Sequence, residues 1–552
     1  MDRANNDPEQ LLKRTRRRGS KARTSIKETK VYSQKDSKQA ENVPEKKNVP
    51  DKKNVSELSS NKSGKHGDIA NSKSTKKKKR ITKWKPGVEG YKTKTQLRNE
   101  LKRKAKKRKR EEHLDTHDIE DDPSSMYIDD PECAPVVLDA IEHMTKLLEE
   151  QKAPTRKFNV TTGPRLGWRT VSKLAVRKPN NGAPIQIGLF KPKSHVIVPI
   201  HNCFAHHPAI NICIPILQQL CVDCRVEAYD EHTNEGQLRY VAINVERATR
   251  ALQITLVWNG SNNGKEDSTL NTLVEALIDK AVRNDPSSDN DEDSEDDDGF
   301  RLHSLWVHFH HVSKHNNAIF GRDDNSWVLK HGKEVLEESI DKICSCPYKV
   351  RLRFPPNVFR QANLDAFAQI IKVIRLYIDE FSHQQKLKPK CLELYGGVGT
   401  IGLHLLDLLD TLVSSDENPY NSECFNASSS QVKGDKKNKC FKLASICSYL
   451  PHNASHVVTK TKALMEANIC IVDPPRKGLD KKVVKSFIDY HPNLRMLVYV
   501  SCGFPAFKRD CEDLLKENSS WSLVHSEGFV LFPGADAIET LAIFVKNGET
   551  KV

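Results

Sequence analysis

Four short segments near the C-terminal end carry residue types suited to group transfer by a covalent route. Ser501-Cys502-Gly503 follows the apolar run Met496 to Val500 and precedes a helix expected over Pro505 to Glu517. A cysteine between a strand end and a helix N-terminus sits where its thiolate, the attacking form, is stabilised. Glu539 follows an apolar segment and the turn Phe532-Pro-Gly534, and a carboxylate there can remove a proton once its pocket tunes it. Asp473, in Asp473-Pro-Pro-Arg-Lys-Gly478, ends an apolar strand. At the carboxyl edge of an α/β sheet such a residue points into the ligand crevice, and the prolines stiffen its loop. The fourth segment, Glu393-Leu-Tyr-Gly-Gly-Val-Gly-Thr400, lies between a strand and a helix, and its glycines permit a tight turn and close backbone approach to a ligand.

The last segment also narrows the ligand. A phosphate-binding loop would continue with Lys-Ser/Thr, whereas Thr400-Ile401-Gly402 stands here. The turn is a poor fit for a nucleoside triphosphate and fits S-adenosylmethionine, whose methionine end packs against such a turn. Further on comes Ser415-Asp416-Glu417-Asn418, where an acidic residue at the end of the second strand can bind ribose hydroxyls. Glu417 is the expected residue and Asp416 its rival. No metal is expected. The acidic run Asp289 to Asp298 lacks the glycine and closing glutamate of a calcium loop, and Cys213, Cys221, Cys224, Cys344 and Cys346 lack the spacing of an iron–sulfur set.

These segments need a sheet to hold them. From Asn363 onward helix and strand patterns alternate: a helix over Asp365 to Phe381, a strand over Lys390 to Leu394, a helix over Ile401 to Leu412, then strands at Ile469 to Val472, Arg495 to Val500, Phe529 to Phe532 and Thr540 to Val545. That texture is a doubly wound α/β sheet. Upstream, a helix over Val136 to Glu149 leads into strand signals from Gly167 to Ile200, a helix over Pro208 to Cys224 and a hairpin of Arg239 to Val245 with Leu252 to Trp258. Strands at Leu305 to Val312 and Lys349 to Phe354 complete this region.

Charge is divided along the chain. The first 115 residues hold 37 Lys and Arg against 15 Asp and Glu, a surplus of 22, so the rest carries −7 within the total of +15. Residues 1–120 have too few large apolar side chains to offset chain entropy and are expected to be a disordered basic arm. Its clusters Lys76 to Arg80 and Lys102 to Arg110 suit nuclear or nucleolar import, or contact with nucleic acid, and a cytoplasmic protein remains compatible with them. The domains follow as the arm, a central α+β domain over 135–355 with a disordered acidic insert at 283–299, and a C-terminal α/β domain over 356–552. No signal peptide and no membrane-spanning run is evident. No stable protein partner is implied, and the fourteen cysteines are read as free thiols of a reducing compartment.

In this order and spacing the segments resemble the uracil-5 RNA methyltransferase family, the 5-methyluridine-forming enzymes of tRNA and rRNA. The resemblance runs from about Gly167 to the end, and Phe359-Arg-Gln-Ala-Asn363, Asn316-Asn-Ala-Ile-Phe-Gly-Arg322 and Gly167-Trp-Arg-Thr-Val-Ser-Lys-Leu-Ala-Val-Arg177 belong to it. It implies a Rossmann-like, class I methyltransferase domain after a smaller α+β domain that handles RNA. It makes Gln361, Tyr395, Gly397, Thr400, Glu417 and Asp473 cofactor contacts, Cys502 the nucleophile that adds to uracil C6, and Glu539 the base that takes the C5 proton. The family often has cysteine where Gly396 stands. A cytosine-5 enzyme would carry cysteine in the loop occupied here by Asp473-Pro-Pro. An idle RNA-binding or assembly factor would be expected to lack Cys502, Glu539 or the glycines, and a nicotinamide-linked enzyme leaves Cys502 and Glu539 without a role.

Overall fold

A computed structural model describes residues 124–546, except 180–184, 192–193, 201, 262–266, 284–298, 311–318, 321–325, 490 and 517–518. The basic arm, nearly all of the acidic insert and most of the Asn316 to Arg322 segment therefore lie outside the described residues.

The first elements are α1 (Pro135–Glu150) and β1 (Asn159–Thr162). Proline starts α1, where its missing N–H costs nothing, and Val137, Ala140, Met144 and Leu148 form its buried stripe. Next come β2 (Val171–Arg177), β3 (Gln186–Phe190), β4 (Ile197–Pro199), α2 (Pro208–Asp223), β5 (Leu238–Val245), β6 (Leu252–Trp258), α3 (Ser268–Arg283), β7 (Leu302–Phe309) and β8 (Trp327–Gly332). Strands β2 to β8 form one sheet in the order β4-β3-β2-β5-β6-β7-β8, antiparallel except between β6 and β7. Its alternate residues Leu174, Val176, Val241, Ile243, Ile254, Leu256, Leu305 and Val307 bury against apolar residues of α2 and α3.

A short hairpin, β9 (Leu336–Glu338) with β10 (Leu352–Phe354), leads to α4 (Leu364–Gln385). The remainder is β11 (Lys390–Leu394), β12 (Thr411–Ser415), α5 (Pro419–Gly434), β13 (Ile446–Leu450), α6 (Ala454–Lys460), α7 (Ala463–Glu466), β14 (Ile469–Val472), α8 (Lys481–Ile488), β15 (Met496–Ser501), α9 (Phe504–Leu514), β16 (Trp521–Val530) and β17 (Glu539–Lys546). These strands and β1 build an eight-stranded sheet in the order β1-β16-β17-β15-β14-β11-β12-β13, parallel apart from the pairings of β17. Its middle strands are buried on both faces. Ile469 and Ile471 enter the core that includes α4, whereas Cys470 and Val472 enter the core of α1, α8 and α9.

Two expectations are corrected. The helix that was to open the central domain at 135 packs on the C-terminal sheet instead, and so does the strand that follows it: β1 pairs in parallel with β16, from Asn159↔Glu527 to Thr162↔Val530, and the stripe of α1 shares a core with Phe504, Phe507 and Trp521. An amphipathic stripe says that a helix packs, not on which sheet. The helix expected over Ile401 to Leu412 is only a single 3-10 turn, Gly402–His404, after which Thr411 already belongs to β12. Leu403, Leu405, Leu406, Leu409 and Leu412 are all fully buried, so their spacing marks core positions without fixing the backbone as helix. Arg375 of α4 fastens this stretch, bonding His404 O and forming a two-pronged pair with Asp407. The helices α3, α5, α6, α7 and α8 and the strands β1, β8, β9 and β13 were not anticipated.

Candidate active site

The sequence segments meet at one edge of the eight-stranded sheet. Strands β11, β12, β14 and β15 end there at Leu394, Ser415, Val472 and Ser501, and the antiparallel β17 begins there at Glu539. Leu394 pairs with Val472, Val472 with Tyr499, and Ser501 with Thr540. Cys502 follows Ser501 and Glu539 precedes Thr540, so this last pair brings the two to the same end of the sheet.

A cleft opens at this edge, lined by Phe359, Gln361, Tyr395, Gly397, Thr400 and Asp473 among others. Five of the six expected cofactor residues thus line one cleft. The sixth, Glu417, is exposed and outside the lining. Its rival Asp416 supports the loop, accepting hydrogen bonds from Gly397 N (3.2 Å) and Asn418 N (2.9 Å). The glycines differ in purpose. A Cβ on Gly396 would stand 2.3 Å from Ser414 Oγ and 2.8 Å from Glu393 Oε2, so the cysteine common elsewhere has no room here. Gly397 takes φ +55° and has nothing within 4 Å of a would-be Cβ, which leaves its backbone open to a ligand. Tyr395 holds φ 58°, a strained conformation for an aromatic residue, at the start of the turn.

Glu393 also lines this cleft and carries no expected role. It is buried, accepts from Gly402 N (2.8 Å) and Ser414 Oγ (2.6 Å), and its pKa is pushed up to about 7 by burial. The signal was present in sequence: a carboxylate inside Cys391-Leu-Glu-Leu394, an otherwise apolar buried strand, is seldom accidental. Asp473 is likewise raised to about 7, by burial and then by Glu393 and Asp416. Two carboxyls, Glu393 and Asp473, therefore line one cleft, and both hold their protons more readily than usual.

Cys502 and Glu539 are electrostatically coupled. Burial, then Glu539 and Asp473, push the Cys502 thiol up to about 11, while Arg476 pulls it down. Glu539 is 3% exposed, and burial followed by Asp473 raises its carboxyl well above the usual range, again opposed by Arg476. Its Oε1 has no hydrogen-bond partner. The expectation that a helix N-terminus would favour the Cys502 thiolate is corrected: α9 does begin at Phe504, capped by Gly503, but burial and two nearby acids outweigh it. Arg476 had no assigned role although it lies within the quoted Asp473 to Gly478 segment. A Cβ on Gly503 would stand 2.3 Å from Arg476 O, so the Cys502-Gly503 turn rests directly on that loop. Buried Asp510 of α9 holds the loop's far end by accepting from Leu479 N (2.8 Å) and Tyr499 Oη (2.7 Å).

The two sheets meet beside the site. Asn363 caps α4 through Ala366 N (3.1 Å), and its Nδ2 donates to Leu531 O (2.8 Å) in the loop that leads to Glu539. Thr170 donates to Ala362 O, one residue from Gln361, through both N and Oγ1 at 2.9 Å. The Trp168 ring packs on Phe532 with centroids 5.4 Å apart. The segment Gly167 to Arg177 thus ties the seven-stranded sheet to the Gln361 segment and to the loop before Glu539.

None of the fourteen cysteines is in a disulfide. Among the described residues no group of three or more His, Cys, Asp or Glu could hold a metal, and no helix is long and apolar enough to cross a membrane.

No protein-family profile matches the chain. It is 33% identical over 383 residues to an uncharacterized RNA methyltransferase of Protochlamydia amoebophila, an alignment that spans 69% of this chain and 87% of that protein. An uncharacterized RNA methyltransferase of Caldanaerobacter subterraneus is 25% identical over 361 residues, 64% of this chain and 67% of its own. Among solved structures, Pyrococcus abyssi tRNA (uracil-54, C5)-methyltransferase in complex with S-adenosyl-L-homocysteine superposes with a TM-score of 0.48 and 20% identity over 73% of this chain and 83% of that one.

Proposed function

The chain belongs to the RNA methyltransferase family of its Protochlamydia relative, and we propose that it transfers the methyl group of S-adenosylmethionine to C5 of a uridine in tRNA or rRNA. The observation that carries the base and the position is the Cys502–Glu539 pairing. A thiol within electrostatic reach of a buried carboxyl that has an unpartnered oxygen is what addition at C6 and removal of a proton from C5 require.

The cleft residues fit the methyl donor. The open backbone at Gly397 admits the methionine end, Gln361, Tyr395, Thr400 and Asp473 surround it, and Glu417 at the end of β12 is proposed for the ribose hydroxyls. Buried carboxylates Glu393 and Asp473 suit a ligand that bears positive charge. Bound there, S-adenosylmethionine supplies an electrophilic methyl group on a sulfonium.

The chain's own residues do the rest. Cys502 Sγ, after loss of its proton, bonds to uracil C6 and breaks the ring's conjugation, so that C5 becomes enolate-like and nucleophilic. Once C5 carries the methyl group, Glu539 removes the C5 proton. The electrons re-form the C5–C6 double bond and expel Cys502 as thiolate. Arg476 offsets the negative charge that passes between Cys502 and Glu539. The target base must leave its stack, because the reacting carbon is attacked from its face. Single-turnover assays test this: Cys502→Ala is expected to lose methyl transfer while retaining RNA affinity, and full activity in that variant would remove the mechanism. The basic clusters at 76–80 and 102–110 are proposed as a nuclear or nucleolar address, testable by fusing residues 1–115 to a fluorescent reporter.

A further inference from the structure

Parallel strands set the N-termini of the helices that follow them at the catalytic edge of the sheet. Strand β13 ends at Leu450, level with Ser415 of β12, and α6 starts at Ala454. Strand β14 ends at Val472, and α8 starts at Lys481. The two helices lie side by side. Val457 and Val458 of α6 share a core with Val483, Val484 and Phe487 of α8, and Ser455 Oγ, in the first turn of α6, donates to Oδ2 of Asp480 (3.2 Å), the residue that opens α8. Their outer faces therefore form one surface beside the loop that carries Arg476.

Residues 451–462 and 475–488, which make up the two helices and that loop, hold seven Lys and Arg, all exposed, against one carboxylate, Asp480. The chain beyond residue 115 is negative overall, so this excess of cations is local. Lys481, Lys482 and Lys485 concentrate it. Three and four positions apart, they share the outer face of α8. Their placement works against the helix: like charges four positions apart repel, and Lys481 and Lys482 stand at the positive end of its dipole. Asp480 makes no side-chain cap; its carboxylate is taken up by Ser455 and by Lys477 at 3.4 Å. Cations held at a helix start against these penalties suit an incoming polyanion, whose charge offsets both. Beside them His452 and His456, both exposed, lie ring against ring with centroids 4.3 Å apart.

We propose that this surface of α6 and α8 holds the phosphodiester backbone of the RNA that flanks the target nucleotide. The proposal rests on the RNA methyltransferase reading above. Clustered, exposed cations beside accessible ring faces match a chain of phosphates and unstacked bases, whereas an acidic peptide would answer the cations and leave the rings unused. The surface begins at the Arg476 loop, so RNA lying on it runs up to the edge where Cys502 and Glu539 stand.

The test compares the full-length protein with a triple variant, Lys481→Gln, Lys482→Gln and Lys485→Gln, and with the same three positions changed to arginine. The control is Lys436→Gln, Lys437→Gln and Lys439→Gln. These exposed lysines lie between α5 and the start of β13, at the opposite edge of the sheet, so equal charge is lost far from the site. RNA affinity by anisotropy across a salt series, KM and kcat with unmodified RNA, and S-adenosylmethionine affinity are measured together. The α8 glutamine triple is expected to weaken RNA binding roughly tenfold or more and to reduce the salt slope by about 2, at about 0.7 for each lost phosphate contact to a single strand. Its KM for RNA should rise in step, while kcat at saturating RNA and cofactor affinity stay within about twofold. The arginine triple should bind RNA within about twofold of wild type, and the control triple should keep the salt slope. Unchanged RNA affinity and slope in the α8 glutamine triple, with the wild type methylating RNA, would overturn the surface and leave the enzyme intact. So would an equal loss in the control triple, which would trace the effect to net charge, or in the arginine triple, which would trace it to the fold of α8. Equal competition by polyglutamate would overturn RNA as the occupant. A wild type that neither binds nor methylates RNA would overturn the reading beneath it as well.

Discussion

The resting state of Cys502 gives a quantitative prediction. Its thiol is raised from 9.0 to about 11 by burial, Glu539 and Asp473. At pH 8 about 0.1% of Cys502 would then be thiolate, against about 10% for a thiol at 9, so alkylation should be roughly a hundredfold slower than for an ordinary exposed thiol. The assay is iodoacetamide labelling of the ligand-free protein from pH 7 to 11, with the Cys502 peptide followed by mass spectrometry. Two substitutions separate the causes. Glu539→Gln removes a neighbouring carboxylate and should move the labelling midpoint down. Arg476→Met removes the opposing cation and should move it up. A wild-type midpoint at or below 9, or no response to Glu539→Gln, would refute the reasoning and show that the helix N-terminus at Gly503 governs the thiol after all.

Other expectations concern the cleft and the catalytic pair. Glu539→Gln keeps the hydrogen-bonding shape and removes the base, so it should accumulate a methylated RNA–protein adduct that survives denaturing electrophoresis; free turnover without adduct would speak against its role. Gly396→Ala should weaken cofactor binding by about 1–3 kcal/mol, five- to 150-fold by calorimetry, because its methyl would meet Ser414 and Glu393; binding within twofold of wild type would mean that the loop yields freely. Glu393 and Asp473 are both raised to about 7, so they take up protons and lose their negative charge as pH falls through 7. S-adenosylmethionine affinity should therefore drop on acidification from 8 to 6, and Asp473→Asn should flatten that dependence; a pH-independent affinity would contradict it.

Much of the site could be read from residue type and spacing because its parts are local. A glycine turn after a buried strand, an aspartate and a cysteine at strand ends, and a glutamate after a proline turn each keep their meaning when the fold is unknown. What escaped depends on partners far away in sequence. The helix expected over Ile401 to Leu412 gave way to a single turn and β12, because its leucines are core positions whether or not the backbone between them is helical. The destination of α1 was hidden because its stripe fits more than one apolar surface. Glu393 went unremarked because its importance lies in Ser414 and Gly402, which only folding brings to it. The Cys502 thiol was expected to be stabilised as thiolate from a helix start alone, whereas Glu539, thirty-seven positions later, and Asp473 decide the balance. Asn363, quoted only as part of a motif, caps a helix and anchors the loop before Glu539.

The central claim is the transfer of a methyl group to uracil C5. The most direct measurement is incubation of the purified protein with methyl-labelled S-adenosylmethionine and unmodified RNA, followed by nucleoside mass spectrometry. The account predicts label in 5-methyluridine, lost in Cys502→Ala. Label in 5-methylcytidine, or 5-methyluridine formed at full rate without Cys502, would contradict it.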